Sequence, residues 1–120
     1  MLKLKGSLSC QIRPREDNLG VTAMAHYVVL VNWTDQGIRN VKDSPKRAND
    51  FIAMAKKMGC TVHELLFTVG PYDIVTILEA PDMQTASSVA LAVSKLGNVR
   101  TLSMPAHTSD EMAAILSKVP

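Results

Sequence analysis

Three groups of residues in this 120-residue chain carry side chains able to do chemistry. The first is Gly70-Pro71-Tyr72-Asp73, which places a phenol and a carboxylate together. Asp73 could take a proton as a general base while Tyr72 orients a substrate. The same tetrapeptide also has turn chemistry, because glycine reaches unusual backbone angles and proline fixes its own. On that second reading Asp73 bonds nearby backbone amides and Tyr72 packs at a seam between subunits. The next group, Trp33 to Arg47, is the densest polar segment. It lies between a strand end and a helix start, where backbone N–H groups can bind an anion. Arg39, Lys42, Lys46 and Arg47 would add positive charge, whereas Asp35 and Asp43 offset much of it, and Gly37 and Asn40 would shape the loop. Both readings stay open. The candidate ligand-binding residues are Trp33, Asp35, Gln36, Arg39, Asn40, Ser44 and Arg47; the candidate catalytic residues are Tyr72, Asp73 and Glu79.

The remaining ionisable residues are less organised along the chain. His26, His63 and His107 have no second ligand at a metal-binding spacing, and neither Cys-x-x-Cys nor His-x-x-x-His occurs. No metal site and no cofactor are expected. In a regular strand His63 and Glu64 point to opposite faces and cannot act as a pair. Glu64 and Glu79 both lie in apolar runs, where a carboxylate turned to the interior is costly unless it is partnered. Arg100 is the expected ion partner; a carboxylate facing a cavity between subunits would instead suit acid–base work. No nucleophile elbow, P-loop or dinucleotide fingerprint is present. Cys60, just past a helix end, reads as a packed thiol.

The elements that must position these groups follow from periodicity. His26–Thr34 is β-branched and aromatic, the mark of a strand. Ser44-Pro45 is a plausible cap with proline at the first helical position. Ala48, Phe51, Ile52, Ala55 and Met58 then recur at helical spacing, and Gly59 is placed to end the helix. Val62–Val69 and Ile74–Glu79 read as strands joined through the Gly70–Asp73 turn, forming a hairpin. Asp82 caps a second helix whose apolar face is Ala86, Val89, Ala90, Val93 and Leu96. Asn98–Met104 is a fourth strand. After Pro105, Ser109 is the expected cap of a short last helix, with Asp110 and Glu111 in its first turn.

The order is β-α-β-β-α-β plus a C-terminal helix. Right-handed crossovers then give a four-stranded antiparallel sheet with helices on one face. The first strand is apolar on both sides, with Tyr27, Val29 and Val31 against Val28 and Leu30. The third is apolar on both sides too. One helix layer covers one face, so the second face is expected to meet another copy of the chain.

Composition bounds the possible functions. Hydrophobic residues at 47% and charged residues at 20% describe an ordinary globular chain, with core volume supplied by aliphatics and seven Met rather than aromatics. The formal charge of +2 arises in residues 1–23, which hold Lys3, Lys5, Arg13, Arg15, Glu16 and Asp17; beyond them the two signs balance. Without a basic stripe, nucleic acid is not an expected partner. No apolar run reaches membrane-spanning length, so no membrane partner is expected. Two cysteines give no disulfide framework, which suits a cytoplasmic setting. Residues 1–23 lack a sustained period and a signal-peptide pattern and read as a flexible extension. An alternative is an arm that docks on a neighbouring subunit through Leu8, Ile12 and Leu19. The domain is expected over residues 24–120.

The run Trp33-Thr-Asp-Gln-Gly-Ile-Arg-Asn-Val-Lys-Asp-Ser-Pro-Lys-Arg47, then Gly70-Pro-Tyr-Asp73 and Gly97-Asn-Val-Arg-Thr101, resembles the GYD domain family of small bacterial proteins. The resemblance covers Met24 to Pro120. It implies an α+β, ferredoxin-like subunit of the dimeric α/β-barrel group, in which sheets pack face to face. The family carries no established activity or catalytic residues. The wider group holds cofactor-free oxygenases, isomerases and ligand-sensing domains, and fold alone does not choose among them. The leading expectation is a homo-oligomeric small-molecule-binding or regulatory module. Two alternatives are a cofactor-independent oxygenase or isomerase using pocket Asp, Tyr or Glu side chains, and a structural assembly protein.

Overall fold

In the computed structural model, residues 24–120 are described; the expected N-terminal extension lies outside them. The run of β-branched residues after Met24 forms strand β1, Ala25–Trp33. It is followed by a short helix α1, Asp35–Arg39, then a single 3-10 turn over Val41–Asp43 and the long helix α2, Ser44–Lys57. Strands β2, Thr61–Phe67, and β3, Ile74–Ala80, form the expected hairpin. Helix α3, Met83–Ser94, leads to strand β4, Val99–Ala106. Helix α4, Ser109–Leu116, closes the order. Residues 25–106 form one compact unit, to which everything below on the sheet refers, and residues 107–120 belong to a second.

The sheet order is β2-β3-β1-β4 with every pairing antiparallel. This is the arrangement that two right-handed βαβ halves produce. Because paired residues share a face, the register sorts side chains into rows. Tyr27 with Leu78 and Val62, and Val29 with Thr76 and Leu65, face the helices. Tyr27, Val29, Val31, Leu78, Ala86 and Val89 are buried there, with Phe51, Met54, Met58 and Val93 packed against them. The opposite face carries His26 with Glu79, Val28 with Ile77 and Met104, and Leu30 with Val75, Leu66 and Leu102. No helix among residues 25–106 covers it, and Leu66, Leu102 and Met104 are exposed.

Several local expectations shift by a residue or more. Ser44 is inside α2 with helical angles, and its N-cap is Asp43, which makes no side-chain cap bond. The buried Ser44 hydroxyl instead accepts from Arg47 Nη2 at 3.1 Å. The polar stretch after Trp33 is helical because Thr34 caps it, its side chain accepting from Gly37 N. Ile52 lies off the packed face of α2 and Met54 on it. Pro105 stays within β4, an edge strand, where a missing N–H can face away from the sheet. The last helix is capped by Thr108 rather than Ser109, in a reciprocal capping box with Glu111. Asp82 caps α3 as expected, accepting from Thr85 N at 2.7 Å. Gly59 has φ +86°, the left-handed conformation anticipated at the end of α2.

Candidate functional site

A cavity of about 310 Å³ opens between the helix layer and the sheet. Its floor is the helix-facing side of β1 and β3, through Val29, Val31, Ile74 and Leu78; its walls are Phe51 and Met54 of α2 and Val89 and Val93 of α3. Small residues, Ala48, Ala86 and Ala90, line the helices where larger ones would close it. Few polar side chains reach the cavity: Ser44, Arg47, Asp50 and Asn98 from the loop end, and Thr76, Thr101 and Ser103 from the strands. Its size and apolar lining are those of a small-molecule pocket.

Of the seven candidate ligand-binding residues, the structure brings Trp33, Ser44 and Arg47 to this cavity. The other four belong to α1 or its C-cap. Gln36 Nε2 donates to Leu96 O at 3.1 Å and to Asn98 Oδ1 at 2.9 Å, joining α1 to the turn before β4. Thr34 adds bonds to Asn98 O and Gly97 O. Gly37 sits so close to that turn that a Cβ there would lie 2.0 Å from Asn98 O. The Asn40 side chain donates to Gln36 O, while Asp35 and Arg39 are exposed. Arg47 donates to Asn40 O at 2.9 Å and Gly37 O at 3.4 Å, closing the carbonyl end of α1. The segment's polar groups therefore mainly fasten α1, α2 and the 96–98 turn into a rim around the cavity.

The Gly70–Asp73 corner is also occupied by structural bonds. Asp73 Oδ2 accepts from Trp33 N at 2.9 Å and from Asn32 Nδ2 at 3.4 Å. Asp73 N donates to Val31 O, Asn32 Nδ2 to Pro71 O, and Thr68 Oγ1 to Tyr72 O at 2.6 Å. The carboxylate thus ties the hairpin corner to the end of β1, next to the tryptophan of the cavity. Neither Tyr72 nor Asp73 lines the cavity.

Glu79 is six residues farther along and, at about 3.3 Å per strand residue, about 20 Å from Asp73. It lies on the open face, where its Oε1 meets His63 Nε2 at 2.5 Å. Its partner is that histidine and not Arg100, which stands opposite Asn32. The three candidate catalytic residues accordingly fall into two separate places. The Glu79 environment is one the sequence reading missed. The pairing of β2 with β3, Thr61 opposite Glu79 and a bulge between Val62 and Glu64, leaves His63 on the face of Glu79, and His26 pairs with Glu79 from β1. His26 and His63 stack with ring centroids 5.8 Å apart. The sequence pattern predicts a regular β2, without the bulge. Cys60 is buried, and burial pushes its thiol pKa up, with the Asp82 carboxylate adding to the effect. It is a packing residue.

Helices on one side of a four-stranded antiparallel sheet place the chain in the ferredoxin-like class seen in solved regulatory proteins. It is similar to the feast or famine regulatory protein from M. tuberculosis complexed with L-methionine, with TM-score 0.56 and 15% identity, covering 81% of this chain and 59% of that one. It is also similar to the leucine response regulatory protein of Mycobacterium tuberculosis, with TM-score 0.55 and 16% identity over 88% of this chain and 62% of that one. The chain thus spans about three fifths of the length of these structures. The GYD domain family model matches residues 27–116, and the chain belongs to that family. A curated relative, the glutamine synthetase and cystathionine beta-lyase binding protein of Thermus thermophilus, is 29% identical over 94 residues, 78% of this chain and 99% of the relative. Among the described residues no helix is long and apolar enough to cross a membrane.

Proposed function

We propose that this protein is a binding or regulatory module that holds a small, mainly apolar metabolite in the cavity between helices and sheet, and that two copies pair through the open sheet face. The observation that carries the reading is the cavity itself: an apolar chamber of ligand size, rimmed by few polar groups. The Asp73 corner supports a binding role over catalysis, because its carboxylate is held by a backbone amide and a side-chain amide and does not line the cavity. Pairing is supported by the exposed apolar side chains on the uncovered face. That face carries Glu64 and Arg100 on opposite edge strands, so no field of one sign opposes a second copy. The Thermus relative is named for binding two enzymes, which fits a module that transmits ligand state to a protein partner.

A thermal-shift screen across amino acids, short-chain carboxylates and other small metabolites tests the binding role. At least one compound should raise the melting temperature of the wild-type chain, and Ala90→Phe, which places a ring in the cavity, should abolish the response. No stabilisation across the set would count against the reading. An alternative, catalysis on the open face through Glu79 and His63, is favoured only by their contact; turnover by wild type that is lost in Glu79→Gln would select it.

A further inference from the structure

His26, His63 and Glu79 come from three adjacent strands, β1, β2 and β3, and meet at one end of the open face. One ligand-type atom from each lies within 4.8 Å of the other two. Metal–ligand distances of about 2.0–2.2 Å in a tetrahedral site put donor atoms about 3.3–3.6 Å apart. The three groups thus need side-chain movements of about 1 Å to share one ion, the His63–Glu79 contact opening while the widest gap closes. His63 is 43% exposed and sits on an edge strand, so its ring is free to make that adjustment.

A second observation separates this cluster from an ordinary histidine–glutamate bond. His26 Nδ1 is buried and has no hydrogen-bond partner among the described residues. Buried polar atoms are almost always satisfied, and an unsatisfied one asks for a water or an ion. Most of the other polar side chains singled out in the sequence, from Gln36 and Arg47 to Asp73, are spent on structural bonds; His26 Nδ1 is not.

We propose that His26, His63 and Glu79 form a binding site for a divalent transition metal of the zinc class. Two imidazoles and one carboxylate are a borderline donor set that suits zinc and its first-row neighbours, and not magnesium or calcium, which take oxygen ligands. Three protein donors leave a coordination position for water or a small anion. The site lies on the opposite side of the sheet from the cavity, so it does not depend on the ligand-binding reading.

The test is direct titration of the full chain with Zn²⁺ in competition with a chromophoric chelator, and with Co²⁺ followed by visible absorption. One Zn²⁺ should bind per chain, Co²⁺ should give ligand-field bands, and excess Mg²⁺ or Ca²⁺ should displace neither. His63→Ala and Glu79→Gln, at side chains 43% and 19% exposed, should each weaken Zn²⁺ binding by more than the roughly tenfold to hundredfold that loss of an outer-shell partner costs. Circular dichroism checks that both variants keep the fold; should one of them unfold, the other carries the comparison. Absence of Zn²⁺ uptake by the wild type overturns the proposal, and so does uptake that both folded variants retain unchanged.

Discussion

Asp73 and Gly37 are the residues whose side-chain chemistry is most tightly tied to the backbone around them. Replacing Asp73 with alanine leaves the Trp33 N–H without its acceptor and removes the longer bond from Asn32 Nδ2, which keeps Pro71 O. The cost should be about 2 kcal/mol in a urea unfolding experiment, the usual penalty for stranding partly buried donors. An alanine at Gly37 would drive its Cβ into the carbonyl of Asn98. That is a backbone clash no rotamer relieves, and overpacking of this kind costs about 1–3 kcal/mol. Gly37→Ala should therefore unfold at lower denaturant than the wild type, and Asn98→Ala should not rescue it, because the atom in the way belongs to the main chain. Both residues were visible in the sequence as members of dense motifs. Their roles were only partly legible there. The turn reading of Asp73 anticipated amide bonding, yet the amide belongs to β1, some forty residues away, which no local pattern reveals. Arg47, a candidate for anion binding by its charge, also closes α1 through Gly37 O and Asn40 O.

At the scale of elements, the long periodic segments were the easiest to read and the short ones were not. The four strands, α2 and α3 follow from apolar spacing, and Gly59 and Asp82 mark their ends as the sequence indicates. Helix α1 has only five residues, too few to show a period. The β2 bulge adds one residue to a strand and brings Glu64 opposite Ile77 on the open face. The His26–His63–Glu79 cluster depends on which strands pair and in what register, which spacing along the chain does not give. Thr76 helps hold the bulge, its buried hydroxyl donating to Glu64 O at 2.6 Å. Thr76→Val keeps the shape and removes that bond; it should cost about 1 kcal/mol and speed hydrogen exchange in β2 more than in β1. Asp82 gives a pH prediction. Its bonds from Thr85 hold its pKa below the ordinary carboxylate value. A depressed folded-state pKa means the cap's contribution is present above the unfolded-chain pKa and is lost as pH falls through the folded one. Asp82→Asn retains a capping side chain without the titration. Between pH 7 and pH 3 the variant should lose less stability than the wild type; equal losses would contradict the capping account.

For the whole molecule, the sequence indicated a two-faced sheet because β1 and β3 are apolar on both sides. Within residues 25–106 the structure places helices on one face and none on the other, with Leu66 and Leu102 at 55% and 50% exposure. Pairing through that face predicts that the wild type sediments as a dimer or larger, and that Leu66→Glu with Leu102→Glu yields a folded monomer. A monomeric wild type, or an unchanged mass in the double variant, would refute it. What the sequence could not indicate was the cavity. It arises from the spacing of α2 and α3 over the sheet, a property of packed volumes and not of any motif. Only Trp33, Ser44 and Arg47 among the candidate residues reach it. Trp33 is the single tryptophan of the chain and a cavity-lining residue, so its emission reports directly on occupancy. Titration with apolar amino acids and short-chain carboxylates should give, for at least one of them, a saturable change in Trp33 fluorescence that disappears in Ala90→Phe. No change across the panel, or the same change in the filled variant, would contradict a ligand-binding cavity.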